Sequence, residues 1–276
     1  MSNNSDKRPT VSVIIPTYNR KEELRRAIES VLVQENVSLE VLICDDGSTD
    51  GTIEMVSSWA DARVRLLTGP RGGRPAIPRN RGIKAAQGEW LAFLDDDDEW
   101  LPEKLQTQLK FAEEKGYLAI TTNALRIKPG QEDSLLFHTC NIPEHLSFDV
   151  LLSVNYAITS SVIVHHSLFE RVEGFPECKN LIGREDYALW LRIASITPFG
   201  YIREPYVLYT DMPTQSIRRQ GGSERKALSW VYSDYLIWAK LPIFSRNRLL
   251  TIMRKYQHLL LYEKIIRKIK RRFNKI

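Results

Sequence analysis

VSVIIPTYNRKEELRRAIESVLVQENVSLEVLICDDGS, residues 11–48, decides the architecture. VSVIIP (11–16) is an apolar run of strand length closed by a proline, which suits a strand buried on both faces. Asn19 offers a cap for KEELRRAIESVLVQ (21–34), where Leu24, Ala27, Ile28, Val31 and Leu32 recur at helical spacing. LEVLIC (39–44) reads as a second strand, and DDGS opens the loop after it. Strand, helix and strand in this order predict a parallel βαβ unit.

The same alternation continues outward. TIEMVSSWA (52–60) predicts a helix, RVRLLT (63–68) a strand, and a short helix follows near 79–87. EWLAFL (89–94) predicts a fourth strand, and LPEKLQTQLKFAEEK (101–115) a long amphipathic helix with Pro102 in its first turn. The second half is less regular. YLAITT (117–122) and SSVIVHH (160–166) predict strands, REDYALWLRIAS (184–195) a helix, and FGYIREPYVLYT (199–210) one or two strands. The expected fold is α/β, a doubly wound and mostly parallel sheet. The expected organisation is a lead-in over residues 1–10, one domain over 11–222 and a basic helical extension over 223–276.

Composition narrows the class. With 43% hydrophobic and 26% charged residues, the 276-residue chain is ordinary globular protein. No stretch approaches the roughly 18 to 20 consecutive apolar residues of a membrane-spanning helix. MSNNSDKRPT (1–10) has no apolar core of a secretory signal, and Cys44, Cys140 and Cys178 suit neither a disulfide framework nor a metal knuckle. A reducing cytoplasm is the expected compartment. The net charge of +5 comes from the tail, because residues 241–276 carry eleven Lys and Arg against the single acid Glu263. That tail alternates apolar and basic residues at helical spacing, which predicts binding to an anionic membrane surface ahead of packing on the body, with nucleic acid last.

Three polar clusters follow three predicted strands: Pro16-Thr17-Tyr18-Asn19, Asp45-Asp46-Gly47-Ser48 and Asp95-Asp96-Asp97-Asp98. In an open parallel sheet, ligands bind beyond the carboxyl ends of strands, so the three share one rim. Four adjacent carboxylates repel unless a cation neutralises them, and all-oxygen donors suit Mg²⁺ or Mn²⁺. The loop GPRGGRPAIPRNRG (69–82) carries Arg71, Arg74, Arg79 and Arg81 among four glycines. Arginine binds phosphate bidentately and glycine lets backbone approach it, so a diphosphate is the economical ligand beside a divalent ion. The absence of GxGxxG after the first strand disfavours a dinucleotide oxidoreductase. His165-His166 reads as structural or surface histidine rather than ligand, and Trp190 as core.

Taken together, VSVIIPTYNR, VLICDDGSTDGT, PRNRGIKAAQGEWLAFLDDDDEWLPEKL and GREDYALWLRI, in this order, resemble a family 2 glycosyltransferase of the GT-A fold over about residues 10–210. The resemblance implies inverting transfer of a hexose or N-acetylhexosamine from a UDP-sugar. The implied acceptor is a polyprenyl-diphosphate-linked glycan, in O-antigen, capsule or other surface-polysaccharide synthesis at the inner face of the cell membrane. It implies that Pro16, Thr17 and Tyr18 line the nucleotide base and that Asp46 hydrogen-bonds it, with Asp45 as neighbour. Arg74 or Arg79 would approach the diphosphate. Asp95 would lie near the ribose or donor sugar, Asp97 would ligate the metal, and Asp98 fits the same acidic pattern. Asp186 would be the catalytic base, with Glu185 second. The family's closing loop corresponds to residues 209–222, where Arg218 and Arg219 stand in place of a histidine. Two other readings remain: a catalytically silent sugar-nucleotide or glycan-binding subunit, and an Asp-x-Asp phosphohydrolase.

Overall fold

The computed structural model describes residues 8–127, 135–211 and 224–240. Its first half follows the alternation: β1 (Val11–Thr17), α1 (Lys21–Leu32), β2 (Leu39–Asp45), α2 (Thr52–Ser57), β3 (Val64–Leu67), α3 (Ala76–Ala85), β4 (Trp90–Phe93), β5 (Glu99–Trp100) and α4 (Lys104–Lys115). The second half adds β6 (Ala119–Ile127), β7 (Leu135–Leu136), β8 (His145–Leu146), α5 (Phe148–Ser153), β9 (Ile163–His165), α6 (Phe169–Val172), α7 (Glu185–Ala194), β10 (Phe199–Thr210) and α8 (Glu224–Trp238).

The strands lie in the order β3-β2-β1-β4-β9-β6-β10-β5, with β7 on β6 and β8 on β10. β1 pairs in parallel with both β2 and β4, and β2 with β3. β9 is antiparallel to β4 and to β6, and β5 is antiparallel to β10. Helices cover both faces, which explains why every residue of β1 and β2 is buried. Val11, Val13 and Ile15 pack with Leu24, Ala27, Ile28 and Val31 of α1 on one face. Ile14, Leu42 and Cys44 join a second core on the other face, built around Phe93, Phe175 and Trp190.

Several local expectations change. Asn19 does not cap α1; it adopts φ +52°, and its Oδ1 accepts the Thr49 N–H at 2.7 Å, tying the first loop to the second. α4 begins at Lys104 because Glu99–Trp100 pair with β10 and the Leu101 N–H donates to the Tyr206 carbonyl, leaving Pro102 outside the helix. FGYIREPYVLYT is one strand whose register slips on either side of Pro205, a residue with no N–H to give the ladder. α8 is part of the body: Val231, Tyr232 and Leu236 are buried in the core, and Asp234 pairs with buried Arg192 at 2.7 Å. Residues 241–276, and with them the basic amphipathic segment, lie outside the described residues, as do residues 1–7 of the lead-in. Among the described residues no helix is long and apolar enough to cross a membrane.

Gly88 sets the entry to β4. A Cβ there would lie 2.5 Å from the Ser12 nitrogen and 2.8 Å from the Val11 carbonyl carbon, backbone that cannot swing aside. Gly88→Ala is expected to push β4 off β1 and destabilise the protein by about 1 to 3 kcal/mol, as overpacking does. Thermal unfolding checks it: an unchanged midpoint would mean that β4 moves without cost.

Candidate active site

β1, β2 and β4 end on one rim, and the polar clusters after them meet there. Pro16 and Thr17 are buried, and the Thr17 hydroxyl donates to Asp96 at 2.9 Å. Tyr18 is half-buried; the Arg71 guanidinium lies 3.8 Å from its ring centroid and donates to its hydroxyl. After β2, the two aspartates divide their work. Asp45 is fully buried and its carboxylate accepts the N–H groups of Gly47 and Ser48, which folds the loop on itself. Asp46 accepts the N–H groups of Gly72 and Gly73 at 2.7 and 2.8 Å, so it anchors the basic loop across the rim.

The four aspartates after β4 alternate like a strand. The Asp95 and Asp97 side chains are 31% and 25% exposed, and each has one oxygen tied to an arginine; the Asp97 carboxylate also takes its own backbone N–H. Asp96 and Asp98 turn inward. Burial above all, with Asp97 beside it, pushes the Asp96 carboxyl up to about 7 against the pull of Arg20. Asp98 is 1% exposed and takes the Ser160 hydroxyl at 2.5 Å and the Thr210 N–H at 2.8 Å. Burial raises its carboxyl well above the usual range. Both its oxygens are occupied inside the protein, so Asp98 pins the turn instead of facing a cation.

Two arginines organise this acid cluster. Arg20 donates to Asp96 at 3.0 Å and to Asp97 at 2.6 Å, a role that went unread in the sequence. The available signal was one cation at the end of VSVIIPTYNR facing four acids across the rim. Arg79 on α3 is 4% exposed and bridges Asp95 to Glu185, the latter at 3.1 Å. Its guanidinium is engaged by these two carboxylates, with Nε left without a partner. Arg74 is the contrast: it is half-buried, and its guanidinium has no hydrogen bond or ion pair among the described residues. Of the two arginines left open by the sequence, Arg74 is the uncommitted cation.

At the start of α7 the acidic pair also separates. Glu185 is 5% exposed, held by Arg79 and by the Arg184 N–H at 3.0 Å. Burial raises its carboxyl despite Arg79. So enclosed, Glu185 serves as the counter-ion of Arg79. Asp186 is only half-buried; it accepts the Thr159 hydroxyl at 2.9 Å on Oδ2 and the Tyr187 N–H on Oδ1. His165 pairs with Trp90, the first residue of β4, so His165-His166 lies at the opposite rim. Trp100 is buried, its indole N–H donating to the Ser160 carbonyl. Trp190 is core, as expected. Arg218 and Arg219 lie outside the described residues.

The family model "Glycosyl transferase family 2" matches residues 12–166. An uncharacterized glycosyltransferase of Rickettsia felis is 36% identical over 214 residues, 77% of this chain and 33% of that protein. UDP-Glc:alpha-D-GlcNAc-diphosphoundecaprenol beta-1,3-glucosyltransferase WfaP of Escherichia coli is 32% identical over 67% of this chain and 70% of its own. The chain thus spans about a third of the Rickettsia protein and most of WfaP. Among solved structures, S. aureus TarS 1–349 in complex with UDP-GlcNAc aligns with a TM-score of 0.68 and 19% identity, over 90% of this chain and 72% of that one. At that identity the likeness is one of fold, and the fold is the GT-A arrangement that the sequence resembles.

Proposed function

The chain belongs to glycosyl transferase family 2, and on that footing we propose that it is an inverting, metal-dependent glycosyltransferase. It moves a hexose or N-acetylhexosamine from a UDP-sugar to a glycan acceptor carried on a polyprenyl diphosphate, in surface-polysaccharide synthesis. One observation carries the reading. A single buried arginine, Arg79, joins Asp95 to Glu185, whose neighbour Asp186 is only half-buried. Donor-side and acceptor-side carboxylates are thereby held on one rim.

In this reading the nucleoside meets Tyr18 and Asp46, and the diphosphate meets Arg74. Asp186 takes the proton of the acceptor hydroxyl as its oxygen attacks the anomeric carbon. The carbon–oxygen bond to the diphosphate breaks, the electron pair leaves with the nucleotide, and configuration inverts. Among the described residues, no group of three or more His, Cys, Asp or Glu is placed to hold a metal ion by itself. Two hard oxygen donors, Asp95 and Asp97, would hold Mg²⁺ or Mn²⁺. Such an ion would supply charge stabilisation of the departing diphosphate. The acceptor class follows WfaP, whose name gives UDP-Glc as donor and a GlcNAc-diphosphoundecaprenol acceptor. The basic segment 241–276 would meet anionic lipid at the inner membrane face, where such an acceptor resides.

A panel of nucleotide sugars with Mn²⁺ or Mg²⁺, read by thermal stabilisation and slow donor hydrolysis, tests the proposal. UDP-linked donors are expected to stabilise the protein only with the cation. Asp97→Ala should lose the cation-dependent part, and Arg74→Ala should weaken UDP binding by about 1.5 to 3 kcal/mol, the scale of a hydrogen bond to a charged group. Equal stabilisation with and without EDTA, or by no nucleotide sugar at all, would overturn the reading.

A further inference from the structure

ITSSV (158–162) enters β9 as a 3₁₀ turn, Thr159–Ser161, whose three hydroxyl residues are 5%, 0% and 0% exposed. Burying three hydroxyls in succession is unfavourable unless each finds a partner. Each does, on a different element. Thr159 Oγ1 donates to Asp186 Oδ2 at 2.9 Å, on α7. Ser160 Oγ donates to Asp98 Oδ2 at 2.5 Å and accepts the Asp95 N–H at 3.1 Å, both in the turn after β4. Ser161 Oγ meets Thr121 Oγ1 on β6 at 2.6 Å. The backbone is fixed as firmly: the Ser160 carbonyl accepts the Trp100 indole N–H at 2.7 Å, and the Ser161 carbonyl accepts Gln108 Nε2 at 2.8 Å.

We propose that Thr159 and Ser160 are positioning residues for transfer. Two adjacent hydroxyls on one rigid turn set the distance between Asp186 and the Asp95–Asp98 turn. This rests on the reading of Asp186 as base given above. Neither hydroxyl is assigned a contact with substrate; each acts through a carboxylate. Thr159 occupies one lone pair of Asp186 Oδ2, and the Tyr187 N–H engages Oδ1. The carboxylate plane is thereby fixed, so its remaining lone pairs present one geometry to an acceptor hydroxyl. Ser160 carries the same constraint to the donor side through Asp98 and the Asp95 backbone. A general base misplaced by a fraction of an ångström loses rate while ground-state donor contacts survive.

The test uses the full-length protein with Thr159→Val, which keeps the shape and removes the hydroxyl, and Thr159→Ser, which keeps the hydroxyl. Thr159→Val is expected to lower kcat on the order of 10- to 100-fold with donor affinity unchanged, and Thr159→Ser to restore most of it. Assays run below the unfolding midpoint of each variant, and Thr159→Ala serves if the valine variant does not fold. In an Asp186→Asn background the Thr159→Val change should have no further effect on kcat, because the group it orients is gone. Normal kcat in Thr159→Val, or an additive loss in the double variant, would overturn the positioning role. Normal turnover by Asp186→Asn alone would instead overturn the underlying assignment of the base, so the two failures are distinguishable.

Discussion

Asp186→Asn is expected to bind UDP-sugar and cation as the parent does, yet transfer ~10² to 10⁴-fold more slowly, the usual scale for loss of a general base. The substitution keeps the shape of the side chain and an oxygen for the Tyr187 N–H, while its amide NH2 can donate to the Thr159 hydroxyl, which lies 2.9 Å from Oδ2 in the parent. What disappears is the anionic oxygen that takes the proton. Glu185→Gln makes the complementary variant. Glu185 touches Arg79 and the backbone of Arg184 inside the protein, so its neutralisation should act mainly on stability. Steady-state kinetics with donor and acceptor varied in turn, alongside donor titration, separates binding from chemistry. Near-normal turnover by Asp186→Asn with loss in Glu185→Gln would exchange the roles of the two.

Arg79→Met should have the largest effect on stability. Arg79 is almost fully enclosed and bridges Asp95 and Glu185, with Phe175 beneath it at 5.2 Å. Methionine fills part of the space but leaves Glu185 buried without its counter-ion. Breaking a buried ion pair from one side costs about 3 to 5 kcal/mol. The loss should depend on pH in a defined direction. Burial already raises the Glu185 carboxyl in the folded protein, and Arg79 opposes that rise. Without Arg79 the rise is larger, and a carboxyl with a raised folded pKa is tolerated best when protonated. The deficit relative to the parent should therefore be greatest near neutral pH and shrink as pH falls through the raised value. Denaturant unfolding at several pH values measures it. A deficit that grows towards acid would mean that Glu185 is not the charge left exposed. Donor-dependent stabilisation should weaken too, since Asp95 loses its anchor.

Most of the sheet was legible because buried strands leave apolar runs and surface helices leave a 3.6-residue stripe. Strand direction leaves no such mark. VIVHH reads the same whichever way it runs, and only its pairing with β4 and β6 shows it to be antiparallel. The charged residues of the rim were legible as a group and their partners much less so. DDDD announces a charged turn, but the division into outward Asp95 and Asp97 and inward Asp96 and Asp98 depends on partners far along the chain: Thr17, Ser160 and Thr210. The period of two was available as a hint. The enclosure of Asp45 had a local cue as well, since Asp-x-Gly-Ser favours an Asx turn. Nothing local distinguished Arg79 from Arg74, because Arg79 is defined by a glutamate 106 residues away.

The reversal of β9 also bears on how this protein can diverge. Because the strand runs backwards, the residues that precede it stand on the cleft rim and those that follow it stand on the opposite one. Lengthening or recolouring the segment that leads into Thr159 would alter what the cleft admits. The same drift at His165–Leu168 would leave the chemistry alone and be filtered by folding only. One short antiparallel strand thus places two neighbouring stretches of chain on opposite rims of the sheet.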